Sequence, residues 1–435
     1  MAQILDQPRY KCALAAMQTV HAIPRAIPIL HAGPGCGTKL NDNTGISGYY
    51  SPNIFPSTNI GEKEVVFGGE GKLRTTIENA LKIIDADLFV VLTGCTAEII
   101  GDDAEEIVHE FADAGKRVIY VNTPGFKGSN YQGHDWVLTA LFEQYLPRER
   151  VPVNAKQVNI FPGPPVQDPF WHGNLKELES LFREIGLEPN IIFGYGNGVS
   201  AVDRIPAGAF NILVSPWVGL DSVKVLEKKY GTPYLHYPVL PIGATETSKF
   251  LRAVGKFTKV DELHVERVIA EHEKEYYYFI ERYSDTFLEL RILSKRFVVI
   301  SDAQYAIAAT KFLVNDLGWN PGGTQFVTDN TPEEYRESVR SEFEKLNYGI
   351  KASMEFSTNG FEIQKKIRES GFTAPPMIFG SSWDKSFAKE IYAPFLNISY
   401  PTYDRLIINS GVVGYAGGLK FLEDIYTTAV QSLIL

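Results

Sequence analysis

The sequence predicts an α/β protein: three consecutive units, each a parallel sheet flanked by helices. Short runs of continuous apolar, β-branched residues recur along the chain, the pattern of strands buried on both faces. Turns rich in Gly, Pro, Ser and Thr and stretches of helical period alternate with those runs, as crossovers between parallel strands require. At 435 residues the chain also exceeds what one hydrophobic core ordinarily organises.

In chain order the expected strands are "AIPIL" (26–30), "LFVVL" (88–92) and "RVIYV" (117–121), then "QVNIF" (157–161), "NIIFG" (190–194) and "NILVS" (211–215). "RFVVIS" (296–301), "TQFVT" (324–328), "PMIFG" (376–380) and "FLNISY" (395–400) follow. Between them "KLRTTIENALKII" (72–84), "GNLKELESLFREIG" (173–186) and "QYAIAATKFLVNDLG" (304–318) have helical period. The stretch "LPRERVPVNAK" (146–156) marks one boundary. The segment 261–296, read as one or two helices leading into a fresh strand, contains the other. The units are therefore 1–150, 151–285 and 286–435, and the second and third are read as Rossmann-like domains.

Composition narrows the function. A hydrophobic content of 44% against 22% charged residues is that of a globular chain. The formal net charge of −10, with Lys and Arg dispersed, argues against nucleic-acid and membrane partners, which select a basic face. "MAQILDQPRY" lacks a basic segment leading into an apolar core, and no apolar run reaches the roughly 18 residues that span a bilayer. A cytoplasmic protein is expected.

The chain holds three cysteines, which a reducing compartment keeps unpaired. Cys36 follows "AIPILHAGPG" and Cys95 follows "DLFVVLTG": strand, glycine, cysteine and helix start in both cases. That grammar places both thiols at the carboxyl edge of one sheet, where doubly wound folds gather ligands, beside helix amides that favour a thiolate. Gly35 and Gly94 allow close backbone approach to a bulky group. Cys12, in "PRYKCALAAMQTV", precedes a helix-like run. Buried cysteines scattered at random do not share a grammar, so metal or cluster ligation is the preferred reading over three small hydrophobes. Structural zinc favours four ligands, often in CxxC pairs, and there are none. Widely spaced thiolates on separate loops suit iron–sulfur chemistry, yet an all-cysteine cubane needs four. Either a non-cysteine ligand completes the set or a second chain shares the cluster.

Six motifs extend this reading: "GPGCGTKL" (33–40), "NIGEKEVVFGG" (59–69), "TGCTAEIIGDD" (93–103), "NTPGFKGSNYQGHD" (122–135), "YSDTFLELRILSKRFVVISD" (283–302) and "ISYPTYDRL…GYAGGLKFLEDI" (398–425). In this order they make the chain resemble component 1 of the nitrogenase family over essentially its whole length, and "YPTYDR" points to the β-type subunit. The resemblance implies that Cys12, Cys36 and Cys95 are this chain's three thiolate ligands to an interfacial eight-iron P-cluster (8Fe-7S), with three more from an α-type subunit in an α2β2 assembly. It implies an ATP-dependent iron-protein reductase as electron donor, with Phe67 at the docking surface, and a catalytic metallocofactor in the α-type chain. A related assembly scaffold with a simpler four-iron cluster (4Fe-4S) is the alternative, as is a cluster-free binding module.

Departures from the family pattern bear on the reaction. Gly125 stands where many nitrogenase β subunits carry a serine that binds the oxidised cluster, and Lys39 stands where the β chain has a tyrosine. No cysteine follows residue 95, so the thiolate that anchors a catalytic cofactor comes from another chain. These features are read as those of a nitrogenase-like relative, with methylthio-alkane reductase (reductive C–S cleavage) preferred over dinitrogen reduction.

Other candidates have plainer readings. "FGGEGKL" (67–73) fails the phosphate-loop spacing, since Val66 stands at the first glycine position and Leu73 follows the lysine. "GYGNGVS" (194–200) reads as a tight turn, and the "GDD" at 101–103 as a helix break followed by a capping aspartate. His31 and His134 are read as structural, "EYYYFIERY" (275–283) as one face of a packed helix, and "EEYRESVRSEFEKLN" (333–347) as an exposed helix laced with ion pairs.

Overall fold

The computed structural model describes residues 6–41, 55–285 and 295–432. The apolar runs form three separate sheets, and every pairing between named strands is parallel. In the first, β1 (Ala26–His31), β2 (Leu88–Thr93) and β3 (Val118–Val121) pair in sequence order, with Ile29 opposite Val91 and Leu92 opposite Val121. All six β2 residues are buried, which is why "LFVVLT" is continuously apolar. The second sheet contains β4 (Asn154–Pro162), β5 (Glu188–Asn190), β6 (Gly208–Val214) and β7 (Tyr234–Tyr237), in the order β5-β4-β6-β7.

The third sheet has the order β11-β10-β8-β12-β13, with β9 beside β8. Its strands are β8 (Arg296–Ser301), β9 (Asn320–Pro321), β10 (Gln325–Val327), β11 (Met354–Phe356), β12 (Met377–Gly380) and β13 (Phe395–Asn397). Helices start where short acceptors cap them: Asp103 takes the Glu106 amide and Asp302 the Tyr305 amide. The helices Gly243–Thr258, Glu262–Arg282 and Gly414–Gln431 pack together, and a Cβ on Gly418 would lie 2.5 Å from the Gly243 Cα. The C-terminal helix thus returns from the third sheet to the helices that follow the second.

Several expectations are corrected. "NIIFG" is displaced: β5 ends at Asn190, and Ile191–Phe193 stay buried but leave the sheet before Gly194 turns at φ +82°. The strands β7, β9 and β11 carry no long apolar run and were invisible to the pattern. The tyrosine-rich stretch buries Tyr276 but leaves Tyr277, Tyr278 and Phe279 exposed, because the helix Glu262–Arg282 packs on one side only. The charged helix is not wholly solvated either. Glu342 is buried, with Lys311 Nζ at 3.0 Å and Lys345 Nζ at 2.6 Å. The segment 286–294, inside one of the family-like motifs, lies outside the described residues.

One ion pair ties the N-terminal stretch to the third sheet. Arg9 pairs with Asp384, both fully buried, and its Nε donates to Ser381 Oγ at 3.2 Å. The Ser381 amide donates to the other Asp384 oxygen at 2.9 Å, so the carboxylate is satisfied from two sides. Removing one partner strands a buried charge. Arg9→Ala is therefore expected to destabilise the chain by about 3–5 kcal/mol, seen as a lower denaturation midpoint; an unchanged midpoint would contradict the pairing.

Candidate metal centre

Three loops carry the cysteines to one edge of the first sheet. β2 ends at Thr93, Gly94 is extended, and Cys95 opens the helix Cys95–Ile100. A Cβ on Gly94 would lie 2.7 Å from Ala32 Cβ, so only glycine lets the ends of β1 and β2 approach this closely. After β1, the helix Pro34–Asn41 carries Cys36 in its first turn, with the Cys36 amide donating to Gly33 O at 3.2 Å. Lys39 lies on that helix, and its side chain falls outside what is described. Gly35 faces open space.

Cys12 reaches the same edge by backbone lacing. The Ala13 amide donates to Gly128 O (3.0 Å), the Asn130 amide to Lys11 O (2.9 Å), and the Lys11 amide to Asn130 Oδ1 (2.7 Å). Gly133 leaves room for this, since a Cβ there would lie 2.5 Å from Ala13 O. The 122–130 loop then brings Gly125 between two thiols. A Cβ on Gly125 would lie 3.3 Å from Cys95 Sγ, 3.4 Å from Cys12 Sγ and 2.9 Å from Cys12 Cβ. The Gly125 amide donates to Cys95 Sγ at 3.1 Å.

The electrostatics correct one expectation. Burial pushes the Cys36 thiol above its ordinary range, and charge on Cys12 or Cys95 would push it further. Burial also raises the Cys12 thiol, with Cys95 adding to the effect. At Cys36 desolvation therefore outweighs the helix amides expected to favour a thiolate, and its response to charge on Cys12 and Cys95 puts the three sulfurs in one neighbourhood. Cys12 keeps an exposed surface although the protein packed around it desolvates the sulfur, and Cys36 and Cys95 are half-buried. Among the described residues no group of three His, Cys, Asp or Glu is able to hold a metal ion. Chemically, soft sulfur donors on separate loops, open to one side, suit a polynuclear group gripped from that side better than one ion.

The remaining candidates fall away from the sulfurs. His31 Nδ1 bonds Thr58 Oγ1 (3.1 Å) and Nε2 bonds Asp102 Oδ2 (2.9 Å), while Asp102 also accepts the Gly69 amide (2.8 Å). Asp103 caps the helix Ala104–Asp113, so the paired aspartates are structural as expected. Gly194, Gly196 and Gly198 all have positive φ, as a tight turn requires. Phe67 ends the helix Glu62–Phe67 and is 81% exposed, not tucked under the glycine turn; Val66 and, on the Cys95 helix, Ile99 are exposed as well. No helix among the described residues is long and apolar enough to cross a membrane.

Fold and site together define a parallel-sheet α/β chain with a half-open thiol site at a sheet edge. Residues 12–430 match the family described as Nitrogenase component 1 type Oxidoreductase, and the chain belongs to that family, as a β-type oxidoreductase subunit. It is similar to the nitrogenase molybdenum-iron protein beta chain of Methanothermobacter marburgensis, 23% identical over 467 residues that cover 99% of this chain and 95% of that one. The beta chains of Clostridium pasteurianum (24%; 97% and 92% covered) and Azotobacter vinelandii (22%; 97% and 82%) are similar too. The solved structure of nitrogenase Cp1 at pH 6.5 has the same fold, with TM-score 0.83 at 21% identity over 100% of this chain and 94% of that one.

Two outcomes follow from this geometry. Gly125→Val forces a branched side chain against Cys12 and Cys95 and is expected to cost about 1–3 kcal/mol by overpacking; a denaturation midpoint equal to wild type would mean the thiols do not close on residue 125. His134 is buried with only Nδ1 bonded, to Thr19 Oγ1 at 2.9 Å, and burial pushes its pKa down to about 3. The unfolded chain takes up that proton near pH 6.5 while the folded chain does not, so this stability is complete above about pH 6.5 and drains away as pH falls toward about 3. His134→Gln should flatten that acid loss in denaturant titrations run at about pH 7 and about pH 4.5; an unaltered slope would count against it.

Proposed function

We propose that this chain holds half of an interfacial P-type cluster (8Fe-7S) through Cys12, Cys36 and Cys95, and that an α-type subunit completes it within an α2β2 nitrogenase-like reductase. The convergence of three thiols on one open sheet edge carries the reading: Cys12 and Cys95 both lie within 3.4 Å of one point at Gly125, and Cys36 is close enough to feel their charge. Soft sulfur donors carried on separate loops fit one face of a polynuclear group better than they fit one ion. When bound, such a group supplies one-electron transfer. The chain's own contributions are specific. The Gly125 amide donates to Cys95 Sγ and favours negative charge there. Glycine at 125 keeps a side chain off the sulfurs of Cys12 and Cys95. Cys12 and Cys36, whose thiols are raised by burial, release their protons on loading.

The exposed Val66, Phe67 and Ile99 supply an apolar surface beside the thiol helices, suited to docking of an ATP-dependent iron-protein reductase. The chain divides into a cluster-binding unit, 1–150, and two Rossmann-like units, 151–285 and 286–435; the three separate sheets support this division. The reaction is reductive C–S cleavage in methylthio-alkanes, a reading supported by Gly125 and Lys39 at positions where nitrogenase β chains carry hydroxyl-bearing residues. Dinitrogen reduction is the second reading, favoured by the names of the similar beta chains.

The test is made on the co-purified anaerobic complex. Wild type should carry about eight irons per αβ pair at this site, and Cys95→Ala should lose them; full retention in the variant would overturn the assignment, and about four irons would indicate the scaffold-type cluster. Dimethyl sulfide and dinitrogen assayed side by side separate the two reactions.

A further inference from the structure

The loops that leave β4, β6, β8 and β10 at their carboxyl ends converge on one narrow cleft with about 10 Å³ of free space. β4 and β6 are neighbours where the second sheet's strand order reverses, and β8 holds the same place in the third, so the cleft lies where doubly wound sheets take ligands. Asp168, Asp302 and Asp329 line it, and all three are buried. Asp168 accepts from the Phe170 amide (2.8 Å), the Asn174 side chain (2.8 Å) and the Tyr305 hydroxyl (2.5 Å). Asp329 accepts from Trp217 Nε1 (3.1 Å), the Ala303 amide (2.9 Å) and the Thr331 hydroxyl (2.5 Å). Among the described residues Asp302 accepts only from the Tyr305 amide and the Ser301 hydroxyl, both at 3.0 Å, and keeps lone pairs free.

Those donors favour ionised carboxylates, while burial drives the other way and raises Asp302 to about 7 and Asp168 to about 6. The cluster is short of positive charge. The amino end of the helix Ala303–Asn315 is worth about half a unit, and among the described residues no lysine, arginine or histidine lines the cleft.

A second observation is independent of charge. Gln304 lines the same cleft, is 8% exposed, and its Oε1 has no hydrogen-bond partner among the described residues. The amide is held there by a glycine: a Cβ on Gly163 would lie 2.2 Å from Gln304 Oε1. A buried acceptor left unsatisfied is costly, so the site calls for something that satisfies oxygen as well as charge. The free space suits a body about the size of one water molecule. Among the described residues no three His, Cys, Asp or Glu make a metal group, which does not match the dense carboxylate shell of a protein-caged divalent ion. An amide oxygen with one or two carboxylates does match a larger, softer-field monovalent ion.

We infer that this cleft binds one monovalent cation of water size, of the K⁺ or ammonium class, with Asp302 and Gln304 as its side-chain ligands and Asp168 and Asp329 supplying the field. To test this, the purified intact complex is exchanged into N-methyl-D-glucamine chloride and dialysed against rubidium chloride as the K⁺ probe. Bound rubidium is counted by mass spectrometry, with ammonium and sodium as competitors. Saturable binding is expected, with affinity reduced roughly tenfold or more in D302N and reduced also in Gln304→Leu. The second variant removes an acceptor without removing a charge and decides the matter if D302N does not fold. No saturable rubidium, or binding that the folded variants leave unchanged, overturns the assignment and leaves the cleft to water and a protonated carboxyl.

Discussion

The thiol edge depends on backbone packed against backbone at distances that side chains would prevent. Gly94 lies against Ala32, Gly133 against the Ala13 carbonyl and Gly125 against Cys12 and Cys95, and each contact would be broken by a single Cβ. These three approaches join the ends of β1 and β2, the N-terminal stretch and the loop after β3. Cys12 has no strand of its own to fix it; its place comes from the hydrogen bonds between Lys11–Ala13 and Gly128–Asn130 and, farther out, from the Arg9–Asp384 pair that anchors the same stretch to the third sheet. A sulfur site assembled this way is rigid on its protein side and open on the other.

That asymmetry suits an interface. The Cys12 and Cys36 thiols hold their protons more tightly than a free cysteine does, which makes them poor nucleophiles in the lone chain. Val66, Phe67 and Ile99 are uncovered on short helices next to the cysteine loops, with Glu62, Lys63 and Glu70 exposed beside them. Membership in the component 1 family accounts for both features on the proposed reading, as surfaces that other chains cover.

Much of this was legible in the sequence wherever the signal was local. β2 was read almost residue for residue because both its faces are buried, and Cys36 and Cys95 stood out because strand, glycine and cysteine follow one another directly. Long-range facts were not legible. Nothing near Cys12 announces residues 128–130, and the meeting of Asp168, Asp302 and Asp329 joins loops of two sheets more than a hundred residues apart. Helical period located the tyrosine-rich helix but could not say that Tyr277 and Tyr278 face outward, and it missed that Glu342 turns inward to Lys311. The thiolate character expected at Cys36 failed for a physical reason: desolvation exceeded the stabilisation offered by helix amides.

The most direct measurement of the central claim is an experimental structure of the anaerobically purified complex, phased at the iron edge. The account predicts iron bridging the Sγ atoms of Cys12, Cys36 and Cys95 to sulfur ligands of a second chain. Iron absent from that edge, or the three thiols sealed within one chain away from any interface, would contradict it.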